Sequence, residues 1–524
     1  MKLRTIVKIA ITSSVVLLCS GFALYSFFRL SAAEGQKDFN LYELVPSTTS
    51  AVFVTDDVLE FVAEVDELTC SKNQQYLYVS KLFSYLKQSL YVLSEDTPHG
   101  LSRQMNQMLI SFHEPDNERN QVLYCRLGNG DKELVNRFVR KYISSLYPPK
   151  TFIYKGEEII IYPMADGDFL ACYLTSDFMA LSFQKKLIEN VIDAYKSGKS
   201  LADDSTFTGI RAPKKSAAAA TIYTRMQGMM GWTEFDMKMK DDFIYFSGIT
   251  HDADTCFAFI NQLRQQQSVK GFPGEVLPST AFYFSRQGIT DWVSLLSYGN
   301  AQGQSVPART SEVQNRDKEF SRYLMENAGQ DLVACLFQRE DTLQDAAAVL
   351  SLSVADVTEA ERMLRALVNA APADEGRRNP RITFCYTVNK AYPIYRLPQT
   401  TLFEQLTSFA EPTLDVYAAF YGGRLLLAPD ADALAHYIRQ LDKGEVLNGA
   451  MAYQTGMDHL SDSYHFMLMA DFDHIFQQSE NHVRFVPDFF LRNADFFRHF
   501  TLFVQFACAD GMVYPNIVLK YKSE

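Results

Sequence analysis

The side chains best suited to chemistry lie near the C-terminal end of the sequence. Six of the nine histidines fall between positions 436 and 499. Within that region Asp471, Asp473 and His474 stand in one tetrapeptide, DFDH, and His482 follows eight residues after His474. Imidazole nitrogens and carboxylate oxygens bind zinc when three or four of them converge. The pattern predicts either a metal site at these four residues or a loop whose polar side chains face solvent. If these polar side chains face solvent, we expect the protein to bind no cofactor.

The common catalytic motifs are missing from the sequence. It contains neither H-E-x-x-H nor G-x-S-x-G, which position a metal site and a serine nucleophile, respectively. The tetrapeptide SGKS at 197–200 resembles the end of a phosphate-binding loop, but Asp193 stands where that loop needs its first glycine. An active site can still be assembled from residues that are distant in sequence. The alternatives to a non-catalytic protein are an envelope hydrolase or metal-dependent enzyme using the 458–482 region, or a carrier of an apolar ligand.

A phenylalanine-rich segment follows the DFDH motif. Residues 473–498 include Phe489, Phe490, Phe496 and Phe497, which a helix would place on one apolar stripe. Such a stripe either packs on the protein's own sheet or forms a partner-binding patch, because exposed aromatic clusters mark interfaces. Both interpretations are open at the level of the sequence.

The strands and helices that must position these candidate residues occur in two similar copies along the chain. The stretches LVPSTTSAVFV at 44–54 and VLPSTAFYF at 276–284 both run from a Pro-Ser-Thr turn into an apolar strand. An apolar strand followed by an amphipathic helix then recurs in the same order, at 121–143 and at 348–368. Strands joined by hairpins, with helices between them but without regular βαβ alternation, predict the α+β class.

The repeat sets the expected domain organisation. We predict two copies of a mainly antiparallel sheet with helices packed on it, at 41–270 and at 271–524. Comparison of the copies places an insertion near 473–498 in the second. The phenylalanine-rich segment therefore lies outside the shared architecture, which makes it a reasonable place to look for function.

The N-terminus predicts attachment to a membrane. Residues 9–28 carry no charge and, as a helix, would span about 30 Å, the thickness of the hydrocarbon core. The basic segment 1–8 ahead of them favours a cytoplasmic tail, with a linker at 29–40 and the rest of the chain outside. The length of the apolar run favours a signal-anchor over a signal peptide cut after Ala23 or Ala33. We therefore expect a single-pass protein of the bacterial inner membrane whose bulk is periplasmic.

The net charge restricts the classes of partner, and the spacing of the cysteines restricts the possible disulfides. The formal net charge is −12 at pH 7. An acidic surface repels the phosphate backbone, which excludes nucleic acid as a partner. The eight cysteines form no C-x-x-C pair, and we expect buried free thiols rather than a disulfide framework. Lipidation at Cys19 is disfavoured because Leu18 stands where a lipobox needs a small residue.

The pattern as a whole resembles a known family. Its features are an N-terminal anchor, the openings LVPSTTSAVFV and VLPSTAFYFSRQGITDW of two repeats, and the helix ends YKSGKSL and LDKGEVL. In these the chain is similar, over most of 41–524, to one of the large domain-of-unknown-function families of bacterial envelope proteins, found notably in Bacteroidetes. The resemblance implies an extracytoplasmic location and no known activity. We expect a non-catalytic interaction or scaffolding protein, with the cytoplasmic membrane and an envelope protein as partners.

Two short motifs are candidate modification sites. Ser205 and Thr342 each follow an aspartate, in an order similar to the acceptor sequence of Bacteroidetes O-glycosylation. Matches of three residues are common by chance, so only exposure and chemistry can separate a true acceptor from a coincidence.

Overall fold

The structure is a computed structural model, and it describes residues 39–73, 105–114, 119–128, 131–139, 147–164, 167–211, 218–225, 231–250, 258–292, 295, 311–339, 346–370, 381–388, 390–398, 400–401, 403, 406–407, 415–478 and 486–522. The expected cytoplasmic tail, the membrane span at 9–28 and almost all of the linker lie outside these ranges. Among the described residues, no helix is long and apolar enough to cross a membrane.

The described residues of the N-terminal half form ten strands: β1 (Ala51–Thr55), β2 (Met108–Phe112), β3 (Gln121–Arg126), β4 (Lys150–Tyr154), β5 (Glu157–Pro163), β6 (Phe169–Leu174), β7 (Phe178–Ser182), β8 (Ala220–Thr224), β9 (Thr233–Lys240) and β10 (Phe243–Thr250). Their spatial order is β4-β5-β6-β7-β3-β2-β1-β8-β9-β10, and every neighbouring pair is antiparallel.

The C-terminal half contributes β11 (Val269–Lys270), β12 (Ala281–Gly288), β13 (Ala328–Gln338), β14 (Ala346–Val354), β15 (Ile382–Tyr386), β16 (Ala391–Pro398), β17 (Asp415–Tyr421), β18 (Arg424–Ala428), β19 (Ser463–Tyr464), β20 (Phe466–Asp471), β21 (Phe500–Ala509) and β22 (Met512–Tyr521). The short strands β11 and β19 pair with each other. The others lie in the order β15-β16-β17-β18-β14-β13-β12-β20-β21-β22, again antiparallel throughout.

The two series have the same topology and join edge to edge. Strand β10 pairs with β22 in antiparallel register, with Phe246 opposite Ile517, so the described strands of the two halves form one sheet of 20 strands. Because the last strand of each series meets the last strand of the other in opposite directions, an approximate twofold axis passes through this joint, perpendicular to the sheet. The mainly antiparallel sheet with its helices confirms the predicted α+β class.

The helices are α1 (Val58–Glu67), α2 (Thr69–Lys72), α3 (Asp131–Phe138), α4 (Lys185–Ser197), α5 (Ser205–Ile210), α6 (Ala258–Gln265), α7 (Ser311–Asn327), α8 (Val357–Ala370), α9 (Ala431–Asp442), α10 (Met451–Met457), α11 (Phe472–Phe476), α12 (Asp488–Arg492) and α13 (Ala494–Phe497), and short 3₁₀ turns lie at Leu41–Leu44, Leu201–Asp203, Pro273–Glu275 and Leu447–Gly449. They cover both faces of the sheet. One face carries α1 and α3 in the first half, and α7 and α8 in the second. The opposite face carries α4 and α9, each of which follows a hairpin.

Local sequence explains why these helices begin and end where they do. The carboxylate of Asp57 caps α1 by accepting the backbone N–H of Glu60 at 2.9 Å, which satisfies a donor that the helix leaves free. Helix α4 ends at Gly198, whose φ of +62° is the left-handed conformation that glycine adopts at little cost. A glycine, Gly444, follows the end of α9 in the same conformation.

Candidate functional site

The most asymmetric part of the fold lies between β20 and β21. In the first half, residues 225–232 suffice to connect the equivalent strands β8 and β9. In the second half the link contains α11, α12 and α13 and includes the segment 473–498, for which the sequence predicted an insertion. Residues 479–485, and with them His482, lie outside the described part of the chain.

Asp471 organises the start of this insertion. Its carboxylate caps α11 by accepting the backbone N–H groups of Asp473 at 3.0 Å and of His474 at 3.5 Å. The Nζ atom of Lys522 donates to Asp471 Oδ1 at 2.7 Å, and His474 Nδ1 lies 3.4 Å from Oδ2. Helix capping and the ion pair with Lys522 thus use the carboxylate oxygens that a metal ion would need.

The charges of this group depend on one another. Burial raises the pKa of Asp471, but the imidazole of His474 and the charge of Lys522 outweigh burial, and the resulting pKa lies below its usual range. Asp471 in turn raises the pKa of His474. An ionised carboxylate therefore lies between two basic side chains, which stabilises the contact between the insertion and the end of β22.

Of the described candidate ligands, the imidazole of His474 contacts Asp471, but the carboxylate of Asp473 binds elsewhere. Asp473 accepts a hydrogen bond from Gln477 Nε2 at 3.1 Å, one turn further along its own segment. The ring of His474 stacks on Phe282, with 6.0 Å between centroids. Within the described ranges there is no group of three or more His, Cys, Asp or Glu side chains that could hold a metal ion.

The phenylalanines of the insertion pack against one another and against the sheet. Phe497 is 7% exposed, and its ring centroid lies 4.8 Å from that of Phe490 and 5.1 Å from that of Phe496. Phe472, which begins α11, stacks on Phe490 at 4.9 Å. The described side chains thus follow the first of the two interpretations, packing on the protein's own sheet. The side chain of Phe489 is not among those described.

The insertion also closes the joint between the halves on the face that carries α1 and α8. Phe472 and Phe497 belong to the buried core of the first half, together with Phe53. Ile475 of the same insertion is buried in the core of the second half. Phe490 packs against both cores. The insertion therefore covers the apolar surface on both sides of the approximate twofold axis.

A hydrogen-bonded serine–histidine pair, which the sequence reasoning missed, lies at the end of β2. Ser111 Oγ is 2.9 Å from His113 Nε2 and 3.1 Å from the hydroxyl of Tyr124. Burial lowers the pKa of His113 to about 4, so the imidazole is neutral at pH 7. Such a pair can activate a nucleophile, but Ser111 is 0% exposed and its hydroxyl cannot meet a substrate. The spacing S-x-H at the end of a strand was the available signal.

A second charged group lies in the sheet of the C-terminal half. Asp331 accepts from Arg286 Nε at 3.0 Å and from Arg424 Nη2 at 3.3 Å. Arg424 also donates to Ser351 Oγ at 2.6 Å, and Arg286 donates to the hydroxyl of Tyr464 at 3.2 Å. Burial raises the pKa of Asp331, but the two arginines and a serine hydroxyl outweigh burial and lower it. The group cross-links neighbouring strands rather than presenting charge to a ligand.

The two outermost strands of the sheet expose apolar side chains. On β4, Phe152 is 43% and Ile153 is 67% exposed; on β15, Phe384 is 53% and Tyr386 is 70% exposed. Strand β4 pairs only with β5, and β15 only with β16, among the strands of the described residues. These equivalent strands are the open edges of the sheet.

The structure describes only one of the two candidate glycosylation residues. Ser205 is the first residue of α5 and is exposed. Its neighbour Asp204 caps that helix, accepting the N–H of Thr206 at 2.9 Å. Thr342 lies outside the described residues. The aspartate ahead of Ser205 thus has a structural role of its own.

Comparison of the chain with protein-family models, with curated proteins and with solved structures found no match in any of the three. The function is therefore inferred from the residues themselves. The polar groups described above hold strands and helices together, and both outermost strands of the sheet expose apolar side chains.

Proposed function

We propose that this protein is a non-catalytic interaction or scaffolding protein of the bacterial cell envelope, anchored in the inner membrane by residues 9–28. The observation that carries the proposal is the pair of open edges, β4 and β15, at the two ends of one continuous sheet. Antiparallel strands lie about 4.8 Å apart, so 20 strands place these edges about 90 Å from each other, measured along the sheet.

A wide and internally bonded sheet suits a protein that holds partners at a fixed separation. Its strands are long at the centre, eight residues in β10 and ten in β22, and they pair along most of their length. The joint is further covered by the insertion, whose aromatic side chains pack on both cores. Relative movement of the two halves would break these contacts.

Open edges supply the means of interaction. An unpaired edge strand presents backbone N–H and C=O groups that can add a strand from another chain. Exposed aromatic side chains beside those groups add apolar contact area, and aromatic residues are enriched at interfaces. Phe152 on one edge and Phe384 on the other supply such side chains.

The expected location supports the same role. An anchor at 9–28 would hold the acidic remainder of the chain next to the membrane, where lateral partners meet its edges. Like charges keep the rest of the surface from non-specific contact with anionic lipid headgroups and nucleic acid. Interaction would then be confined to the sheet edges.

Cross-linking and co-purification from native membranes test the proposal. The full chain is compared with a double variant, Ile153→Lys with Phe384→Lys, that places a charge on each edge. Met451→Lys is the matched control, because Met451 is 77% exposed but lies on α10 above the face of the sheet. We expect the double variant to lose specific partners and the control to keep them, at equal thermal stability. The same partners in all three samples would refute an edge-based role.

A further inference from the structure

We propose that the β15 edge binds a second copy of this chain, through antiparallel pairing of β15 with β15 of that copy. The inference rests on the proposed interaction function and names its partner. It follows from the backbone groups that β15 leaves open, from the side chains beside them and from the contrast with β4.

The register of β15 on β16 determines which backbone groups are open. Phe384 lies opposite Pro393, whose nitrogen has no hydrogen to donate. At the end of the hairpin, Thr387 donates its backbone N–H to Lys390 at 3.0 Å. Hydrogen-bonded and non-bonded positions alternate along an antiparallel strand, so the odd-numbered residues bond to β16. The backbone groups that face the open edge belong to Ile382, Phe384 and Tyr386.

The side chains of the same three residues form an exposed row on one face of the sheet. Ile382 is 38%, Phe384 is 53% and Tyr386 is 70% exposed, and the two rings are 6.2 Å apart. Side chains at alternate positions of a strand share a face. A strand added to this edge would therefore gain backbone hydrogen bonds and apolar contacts from the same residues.

The row is complementary to itself. In a twofold antiparallel pair centred on Phe384, that residue faces Phe384 of the second copy, and Ile382 faces Tyr386. Aromatic pairs and aromatic–β-branched pairs are favourable cross-strand contacts. The nearest charge, Arg381, would face the uncharged Thr387 rather than its own equivalent. No like charges oppose one another in this register, which is the condition for a symmetric pair.

Strand β4, the equivalent edge of the first half, carries charge that opposes pairing with an identical strand, and β15 does not. It begins with Lys150, whereas β15 begins with Ile382. The ammonium of Lys185 lies 5.2 Å from the ring of Phe152. Lysines on an edge strand are a common device against edge-to-edge pairing. The five residues of β15 carry no charge, so self-pairing is expected at one edge only.

The chain already contains one joint of this type. Strands β10 and β22, the inner edges of the two halves, pair in antiparallel register around the approximate twofold axis. The proposed contact repeats that geometry between copies at an outer edge. Two copies would then share one continuous sheet.

Disulfide trapping of the full chain in its native membrane tests the pairing. Residue 384 would face its own equivalent at about 5.5 Å between Cα atoms, within the range that a disulfide spans. Phe384→Cys, in a background with Cys19 and Cys508 changed to serine, should form a covalent dimer when a thiol oxidant is added. The remaining cysteines among the described residues are buried. Ile153→Cys, 67% exposed on β4, is the matched control and should remain monomeric.

A mixed experiment tests the register. Ile382→Cys alone should not dimerise, since its equivalents would lie about 13 Å apart at 3.3 Å per residue. Copies carrying Ile382→Cys and copies carrying Tyr386→Cys, with different tags, should cross-link to each other. Dimers from Ile382→Cys alone, or equal dimer yields from the β4 and β15 variants, would overturn the proposed pair.

Failure of the self-pairing can be separated from failure of the scaffolding function. A photo-cross-linking phenylalanine analogue at position 384 captures whatever lies against the edge. An adduct of two copies supports the inference. An adduct with a different envelope protein overturns self-pairing while the interaction function stands. No adduct at all from 384 overturns self-pairing, and the double-edge variant described above then decides the broader function independently.

Discussion

Truncation of Phe497 separates the two roles that the sequence left open for the aromatic insertion. The ring is 7% exposed and packs against Phe490 and Phe496. If it is core, Phe497→Ala should destabilise the protein. If it is a docking surface, the same change should leave stability intact and remove a partner.

The expected loss follows from the environment of the ring. Removing a buried phenylalanine costs about 3–5 kcal/mol, depending on how far the neighbours collapse into the space. Phe490 and Phe496 are only partly buried and can move, so we expect the lower end, about 3 kcal/mol. The entropy of unfolding is about 2.1 cal/mol/K per residue, so this loss lowers the midpoint by about 3 °C if the whole chain unfolds as one unit. The shift is about 6 °C if the halves unfold separately.

Differential scanning calorimetry of the full chain measures the loss of stability and the shift of the unfolding midpoint. Phe169→Ala provides the matched control, because that phenylalanine is 58% exposed on β6 and its loss should change stability by no more than about 0.5 kcal/mol. If the chain unfolds in a single transition, and Phe497→Ala lowers its midpoint while Phe169→Ala does not, the insertion couples the two halves. Small and equal changes of the unfolding midpoint in both variants would refute the packing argument. The insertion would then be better explained as a docking surface.

Three further predictions concern charge and close packing. His474→Gln should destabilise more at pH 6 than at pH 9 in urea unfolding, because a raised histidine pKa gives stability below about 6.5 that is lost as pH rises through the folded-state pKa. Asp331→Asn should cost about 3–5 kcal/mol by leaving two arginines without their carboxylate; an unchanged urea midpoint would contradict this. Gly456→Ala would put a Cβ atom 2.2 Å from Phe503 Cζ and should cost about 1–3 kcal/mol. Gly449→Ala, with nothing within 4 Å, is its control and should be near neutral in the same assay.

The repeated order of elements could be predicted because hydrophobic patterns carry local information. A short run rich in apolar, aromatic or β-branched residues, such as ATIYT at 220–224 or the stretch at 415–421, identifies a strand without reference to the rest of the chain. Recurrence of such strands in one order then predicts similar topology. The joint between β10 and β22 could not be predicted, because it depends on which edges remain open after each half has folded.

The interactions of the DFDH motif could not be predicted from the sequence. The sequence marked Asp471 and His474, yet the partner of that carboxylate is Lys522, 51 residues away, which no spacing rule connects to it. Likewise, the stripe of phenylalanines identified an apolar helix face but not what covers it. Periodicity reports that a face is apolar, whereas only the tertiary structure determines whether sheet or solvent lies against it.

The lengths of the edges explain why the proposed association would be reversible while the internal joint is not. The joint pairs β10 with β22 through strands of eight and ten residues, and the insertion covers it. The outer edge β15 has five residues, with three sets of backbone groups available. A contact of that size is weak between freely diffusing molecules, since association costs translational and rotational freedom. If residues 9–28 anchor both copies in one membrane, as proposed, their effective concentration rises and their orientation is restricted. Under this proposal the membrane segment and the uncharged edge depend on each other: the anchor makes a short edge sufficient, and the short edge keeps the assembly responsive to the amount of protein in the membrane.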